Sequence, residues 1–167
     1  MTSKDFVTIQ ETMTWRDKIY HLVYSDADSF DQIPQDKWSQ VYGVCFTKDG
    51  EIILGKNKLG HYNLLGGTRE AGESVEQTLI REIQEESNTK VLSWLPIGHQ
   101  YVSENDSYQL RAVCLVEPLG MFESDPAGSV SDIKYIKPDE FDKYIHWDKI
   151  GKRLLQRAIA KIDIINK

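Results

Sequence analysis

Hydrophobic and polar positions alternate along most of this chain, and the period changes in two places only. Runs rich in β-branched and aromatic residues predict strands at about 15–24 (WRDKIYHLVY), 39–47 (SQVYGVCFT), 51–56 (EIILGK), 91–103, 108–117 (YQLRAVCLVE) and 132–137. Lys48-Asp49-Gly50 separates two of them as a tight hairpin turn, because Asp-Gly accepts positive φ. The first helical period follows Ser74-x-x-Gln77, a capping box, and predicts a helix from about Val75 to Ser87, closed by Asn88. At about 100° per residue, Val75, Leu79, Ile80 and Ile83 form its packing stripe. The second lies in DKIGKRLLQRAIAKIDIINK, where Ile150, Leu154, Ala158, Ile162 and Ile165 repeat as one buried stripe beneath a basic face expected to be solvated.

Strands interspersed with helices over 167 residues point to an α/β fold with a single main core. The polar, proline-containing SDADSFDQIPQDK marks a boundary, so residues 1–37 read as an N-terminal β appendage with linker and 38–167 as the main domain. Asp26-x-Asp28 opens like a calcium loop. Phe30 and Asp31 then occupy positions where that loop needs an Asp or Asn and a Gly, so a solvated linker is expected. Left alone, WRDKIYHLVY would expose an apolar strand edge; it should pack on the domain or on a second subunit, in which case the protein is a homodimer.

A net charge of −6 excludes a nucleic-acid surface built on bulk positive potential and leaves room for a local anion pocket. No apolar run approaches the roughly 20 residues of a membrane span, and MTSKDFVTIQ has no apolar signal core, so a cytoplasmic protein without membrane contact is expected. Cys45 and Cys114 sit in apolar strand runs without CxxC spacing and read as buried free thiols. The four histidines are scattered singly, unlike a metal cluster.

Charge is crowded in one place. Glu82, Glu85 and Glu86 share one flank of the first helix, beside its apolar stripe. Like charges at this spacing repel, and carboxylates at the edge of a buried stripe lose hydration. Arg81 offers one guanidinium to three carboxylates, so a hard divalent cation such as Mg²⁺, with Mn²⁺ as an alternative, is the expected compensation.

The order Gly67-x5-Glu73-x7-Arg81-Glu82-Ile83-x-Glu85-Glu86 resembles the signature box of the Nudix hydrolases, and GGTREAGES resembles its lead-in. At roughly 7% per specified residue, six fixed letters would coincide in about one window in ten million. Asn88 and Thr89 depart from the box, standing where it has glycine and an aliphatic residue, and Leu65 stands where many members have proline. Asn is the commonest non-glycine residue in the left-handed conformation, so the helix end can survive.

The resemblance implies an α/β/α sandwich around a mixed β-sheet and a Mg²⁺-dependent pyrophosphohydrolase. Its substrate would be a small-molecule nucleoside diphosphate derivative: a nucleotide triphosphate, a nucleotide sugar or a dinucleoside polyphosphate. By position match, Glu82, Glu85 and Glu86 with the Gly66 carbonyl hold metal, Arg81 orients a carboxylate and Glu73 braces the loop onto the helix. Glu82 is one candidate general base; Glu104, Glu123 and Asp125 are others. Lys56, Lys58, His61 and Arg69 could contact phosphates, and Tyr62, Trp38 and Tyr101 could stack a base. Two other functions stay open on the same scaffold, a non-catalytic nucleotide-derivative sensor and a prenyl diphosphate isomerase. The isomerase would need reactive Cys chemistry.

Overall fold

The computed structural model describes residues 6–166, so the first five residues of the expected appendage lie outside it. The elements run β1 (Thr8–Trp15), β2 (Lys18–Asp26), β3 (Trp38–Phe46), β4 (Ile52–Lys56), β5 (Tyr62–Asn63), β6 (Leu65–Thr68), α1 (Val75–Ser87), β7 (Thr89–Val102), β8 (Ser107–Pro118), β9 (Asp132–Ile136), α2 (Phe141–Tyr144) and α3 (Asp148–Ile165). Among the described residues no helix is long and apolar enough to cross a membrane.

One nine-stranded sheet carries the chain, with path β1-β2-β7-β8-β3-β4-β5, β6 added to β3 and β9 to β4. β3 and β8 are parallel, with Val41 against Leu110 and Cys45 against Cys114. The other pairings are antiparallel, which makes the sheet mixed. Strand alternation divides two cores. Val41, Cys45, Ile53, Ala112 and Cys114 face α1 with Leu79 and Ile83, whereas Val44, Phe46, Ile52, Leu54 and Val113 face α3 with Ile150, Leu154 and Ala158. Leu79 and Ile83 are fully buried, and each contributes roughly 2 kcal/mol of apolar transfer to holding α1 on the sheet. Cys45 and Cys114 are free and buried, as expected.

The turns explain what patterning caught and missed. Gly50 turns β3 into β4 at φ +85°, as Asp-Gly predicts. β1 escaped because its hairpin to β2 turns on Arg16 and Asp17, both at positive φ without glycine or asparagine to announce it. Residues 8–26 are therefore two strands of this same sheet, with Leu22 opposite Val102 and Tyr24 opposite Gln100.

Two expectations are corrected. Asp26, the last residue of β2, and Asp28 beyond it are paired rather than free solvated charges, and so are Arg153, Arg157 and Lys161 on α3, while Asp31, Asp36, Lys149 and Lys152 are exposed. Asp26 is buried and accepts the Tyr24 hydroxyl at 2.8 Å, the Val7 N–H at 2.8 Å and Arg153 Nη2 at 2.6 Å. Arg157, 1% exposed, reaches Asp28 at 2.7 Å and the Ile97 and Ala27 carbonyls at 3.1 and 2.9 Å. Lys161 also holds Asp28, at 2.7 Å. Burial opposes ionisation of Asp26 and Asp28, yet these cation and N–H partners outweigh it and keep both carboxyls below their ordinary pKa. Acidic and basic stripes that look solvated one at a time are each other's counter-ions.

Candidate active site

The acidic flank of α1 meets β6 because the capping box forms. Ser74 Oγ accepts the Gln77 N–H at 3.2 Å and Gln77 Oε1 accepts the Ser74 N–H at 2.9 Å, which sets where the helix begins and which face turns toward β6. At the other end Asn88 takes φ 53°, ψ 44° in place of the glycine of the box, and its N–H returns to Gln84 O at 2.9 Å. Thr89, where the box has an aliphatic residue, bonds Ser87 Oγ at 2.7 Å, and that hydroxyl donates to Ile83 O at 2.6 Å. A polar pair thus fills an apolar position without leaving a buried group unpaired.

Two glycines make the approach of β6 to α1 possible. Gly66 has φ +145°, and a Cβ there would lie 2.2 Å from Val41 O. At Gly67 a Cβ would lie 2.7 Å from the Glu82 carboxyl carbon, so the absent side chain is the cradle for that carboxylate. The Gly66 N–H donates to Glu86 Oε1 at 2.7 Å.

Glu73 and Arg81 clamp the loop between β6 and α1. Arg81 Nε and Nη2 donate to the two Glu73 oxygens at 2.8 and 2.9 Å, and Nη2 also reaches Thr68 O at 2.9 Å. Glu73 further accepts the Glu70 N–H at 2.7 Å and the Thr78 hydroxyl at 3.0 Å. With Arg81 as the largest influence, its carboxyl pKa falls to about 2 despite partial burial. Arg81 Nη1 turns to Glu82 at 3.1 Å and Glu85 at 3.4 Å, and the guanidinium is held firmly protonated, chiefly by Glu73.

Glu86 is different. It is 7% exposed, and burial pushes its pKa up to about 8; the Gly66 hydrogen bond opposes the shift, and the charges of Glu82, Asp125 and Glu85 add to it. Glu82 is also raised by burial, eased by Arg81 and pushed further by Glu85 and Asp125. The charges of Glu85 and Asp125 therefore act on both Glu82 and Glu86, while Arg81 is bonded to Glu82 and Glu85. Among the described residues no three acidic, imidazole or thiol groups already form a cage, because Glu82 and Glu85 turn to Arg81 and Glu86 to Gly66.

The remaining candidates separate. Glu104 binds the His21 N–H and the His21 ring on the N-terminal hairpin, away from the cluster. Asp125 is buried and caps its own loop through the Ala127, Ser129 and Val130 N–H groups, each at 2.9 Å, while its charge reaches Glu82 and Glu86. Glu123 is exposed and lines a groove shared with Arg81, Glu85 and Asn88. Lys56 and Tyr62 are register partners, and Tyr62 packs edge-on to Tyr144 at 5.0 Å. Arg69 lies over Trp38 at 4.1 Å and bonds the Gln35 and Glu73 carbonyls, so both residues are engaged in packing. Tyr101 donates to Asp106 at 2.6 Å.

Pattern reading passed over the residues of the opposite sheet face. A cavity of about 570 Å³ opens there between the β1–β2 hairpin, β3, β8 and the start of α3, lined in part by Gln40, Tyr42, Arg111 and Trp147. Tyr42 is the register partner of Gly66, and its hydroxyl pKa is raised by burial, eased by Arg111 and raised further by Glu86 and Glu82, so cavity and acidic face lie within electrostatic reach of one residue. The available signal was Arg111 itself, one cation inside the apolar run LRAVCLV.

Comparison with known proteins agrees with this arrangement. In fold the chain resembles a mutant of the Bacillus subtilis pyrophosphohydrolase BsRppH, with TM-score 0.67, 17% identity and coverage of 84% of this chain and 92% of that one. It also resembles a NUDIX hydrolase from Nitrosomonas europaea, with TM-score 0.55, 21% identity and coverage of 77% and 95%. In sequence it is 40% identical over 60 residues to the NAD-capped RNA hydrolase NudC of Pseudomonas aeruginosa (strain LESB58), a match spanning 34% of this chain and 22% of that protein. The NUDIX domain family model matches residues 13–158, nearly the whole chain, and with the box seated between β6 and α1 the protein belongs to the Nudix hydrolase family.

Proposed function

We propose that this protein is a Mg²⁺-dependent pyrophosphohydrolase that cleaves the diphosphate of a nucleoside diphosphate derivative. The observation that carries the reading is Glu86, a buried carboxylate amid the charges of Glu82, Glu85 and Asp125, while Arg81 on the same helix is committed to Glu73, Glu82 and Glu85. An all-oxygen set of this kind suits a hard divalent ion, and Glu82, Glu85 and Glu86 with the Gly66 carbonyl would hold it. Bound there, such an ion supplies Lewis-acid stabilisation of the phosphoryl oxygens and acidifies a water.

The chain's own residues supply the rest. Gly66 and Gly67 keep side chains away from the approach path, and the Glu73–Arg81 clamp holds the loop so that Glu82 and Glu85 keep their positions. Water adds to phosphorus, the anhydride P–O bond breaks, and the leaving phosphate departs with that bond's electron pair. Glu82 and Glu123 are the acceptors we favour for the water's proton, since Glu104 is bonded to His21 and Asp125 to its own loop. The isomerase alternative loses its chemistry, because Cys45 and Cys114 are fully buried.

The test is product release from nucleotide triphosphates, nucleotide sugars, dinucleoside polyphosphates and, given the NudC match, NAD and NAD-capped RNA, with Mg²⁺ and with EDTA. Mg²⁺-dependent formation of a nucleoside monophosphate from at least one class is expected. A panel with no Mg²⁺-dependent turnover sinks the reading and leaves a ligand sensor.

A further inference from the structure

The segment between β8 and β9 carries Glu123, and its two halves are held by different means. The later half anchors itself. Asp125 collects the Ala127, Ser129 and Val130 N–H groups, and Val130 packs on β4, its Cγ2 3.0 Å from where a Gly55 Cβ would lie. The Ser131 N–H and hydroxyl then donate to Lys56 O at 2.8 and 3.0 Å. The earlier half has no comparable anchor of its own. Leu119 and Met121 are 52% and 86% exposed, Gly120, Glu123 and Ser124 are exposed, and Phe122 is half-buried, so apolar burial does little to fix this stretch.

Asn88 fixes it instead. Its backbone carbonyl accepts the Leu119 N–H at 3.0 Å and its side-chain Nδ2 donates to Met121 O at 3.3 Å, so one residue at the end of α1 holds the chain on both sides of Gly120. Two residues beyond Met121, Glu123 lines the groove that Arg81, Glu85 and Asn88 also line. Among the described residues no hydrogen bond or ion pair takes up its carboxylate, which is thus open to the groove between a clamp at Met121 and a clamp at Asp125.

A glycine at position 88, as in the box, would serve the left-handed backbone as well as asparagine does, and it would keep the carbonyl that Leu119 needs. It has no amide to reach Met121. The departure from the box therefore adds one hydrogen bond, directed from the acidic helix to the segment that carries Glu123.

We infer that Asn88 is a positioning residue of the hydrolytic site, its side-chain amide holding the Met121 carbonyl so that Glu123 stays in the groove beside Glu85 to receive the attacking water's proton. The water O–H bond breaks as its oxygen adds to phosphorus, and the proton passes to a Glu123 oxygen. The inference rests on the hydrolase reading above for what Glu123 does and on the hydrogen bonds alone for how it is held. Freeing one end of the stretch while Asp125 keeps the other displaces Glu123 without unfolding anything, and displacements of about 1 Å cost up to ~10²-fold in rate.

The experiment compares wild type, Asn88→Gly, Asn88→Asp, Glu123→Gln and the double variant Asn88→Gly/Glu123→Gln. Hydrogen exchange in EDTA reads the tether without turnover: the Leu119 amide should lose protection at least ~3-fold in both Asn88 variants, with the middle of α1 unchanged. Steady-state kinetics with Mg²⁺ then use whichever of the nucleotide triphosphates, nucleotide sugars, dinucleoside polyphosphates and NAD turns over fastest. Both Asn88 variants should lose about 10-fold in kcat with KM within about twofold, and Asn88→Gly should add less than about twofold once Glu123 is Gln. A merely structural Asn88 would lower both backgrounds alike. Asn88→Asp keeps the left-handed preference without the donor and serves as the readout if Asn88→Gly does not fold. Wild-type kcat in the Asn88 variants, additive losses in the double variant, unchanged Leu119 exchange, or wild-type turnover by Glu123→Gln overturns the inference and leaves an active hydrolase standing. A wild type with no Mg²⁺-dependent turnover sinks the hydrolase reading and this role together, whatever the exchange shows.

Discussion

Glu86→Gln keeps the shape of the side chain and the acceptor for the Gly66 N–H while removing one charge from the cluster. In the metal-free protein the Glu86 pKa is about 8 against an ordinary 4.5, so the folded state holds a proton that the unfolded chain releases. The sign follows. A raised carboxyl pKa costs nothing below about pH 4.5, and the penalty grows as pH rises toward 8, where it levels off. At pH 7 the difference is on the order of 3 kcal/mol, a ceiling because a carboxylate that relaxes toward water recovers part of it. Gln pays none of this. Melting curves of both proteins in EDTA at pH 5.5, 7 and 8.5 should therefore show the variant's advantage smallest at the lowest pH and largest at the highest. At about 2–4 °C per kcal/mol for a chain of this size, the gap should reach several degrees. Excess Mg²⁺ should reverse the order, since binding to the folded state stabilises wild type more than a site lacking one ligand charge, and turnover of the variant should fall at least ~10²-fold. Equal Mg²⁺ shifts in the two proteins, with unchanged turnover, would refute the metal-site reasoning and leave the crowded glutamates as surface charge.

Asp26→Asn should destabilise the protein by roughly 3–5 kcal/mol, because Arg153 loses its buried partner and Arg157 a nearby charge; urea titration of wild type and variant measures it. Asp26 has a lowered folded pKa, so its contribution is present above the ordinary carboxylate range and lost as pH falls through the folded value. Acid titration below pH 4 should therefore narrow the gap between the two proteins, and a constant gap would discredit the ion pair as its source. Asn88→Gly should stay within about 0.5 kcal/mol of wild type while Asn88→Ala loses about 1 kcal/mol, since only alanine pays for the left-handed backbone; equal thermal stability of the two would contradict that account.

The capping box, the helix from Val75 to Ser87, the turn at Asp49-Gly50 and the order of the charged box residues were legible because each rests on interactions a few residues apart. What the sequence by itself determined was therefore the helix after the glycine pair, its acidic flank and the family. Tertiary structure alone decided which distant groups meet. Asp26 and Asp28 are 127 and 129 residues from the arginines of α3 that hold them, and neither segment announces the other. The hairpin of β1 and β2 closes without a glycine, and the pairing of β2 with β7 then brings it against the main sheet. Arg111 stood out in the sequence only as a cation in an apolar strand; whether a carboxylate would answer it depended on what packs above that strand, and the fold placed Tyr42 and Trp147 there. Local hydrogen bonding and backbone preference are written in neighbouring residues, whereas desolvation and charge compensation are properties of an assembled interior, and those decide which ionisable groups are structural and which are left for a ligand.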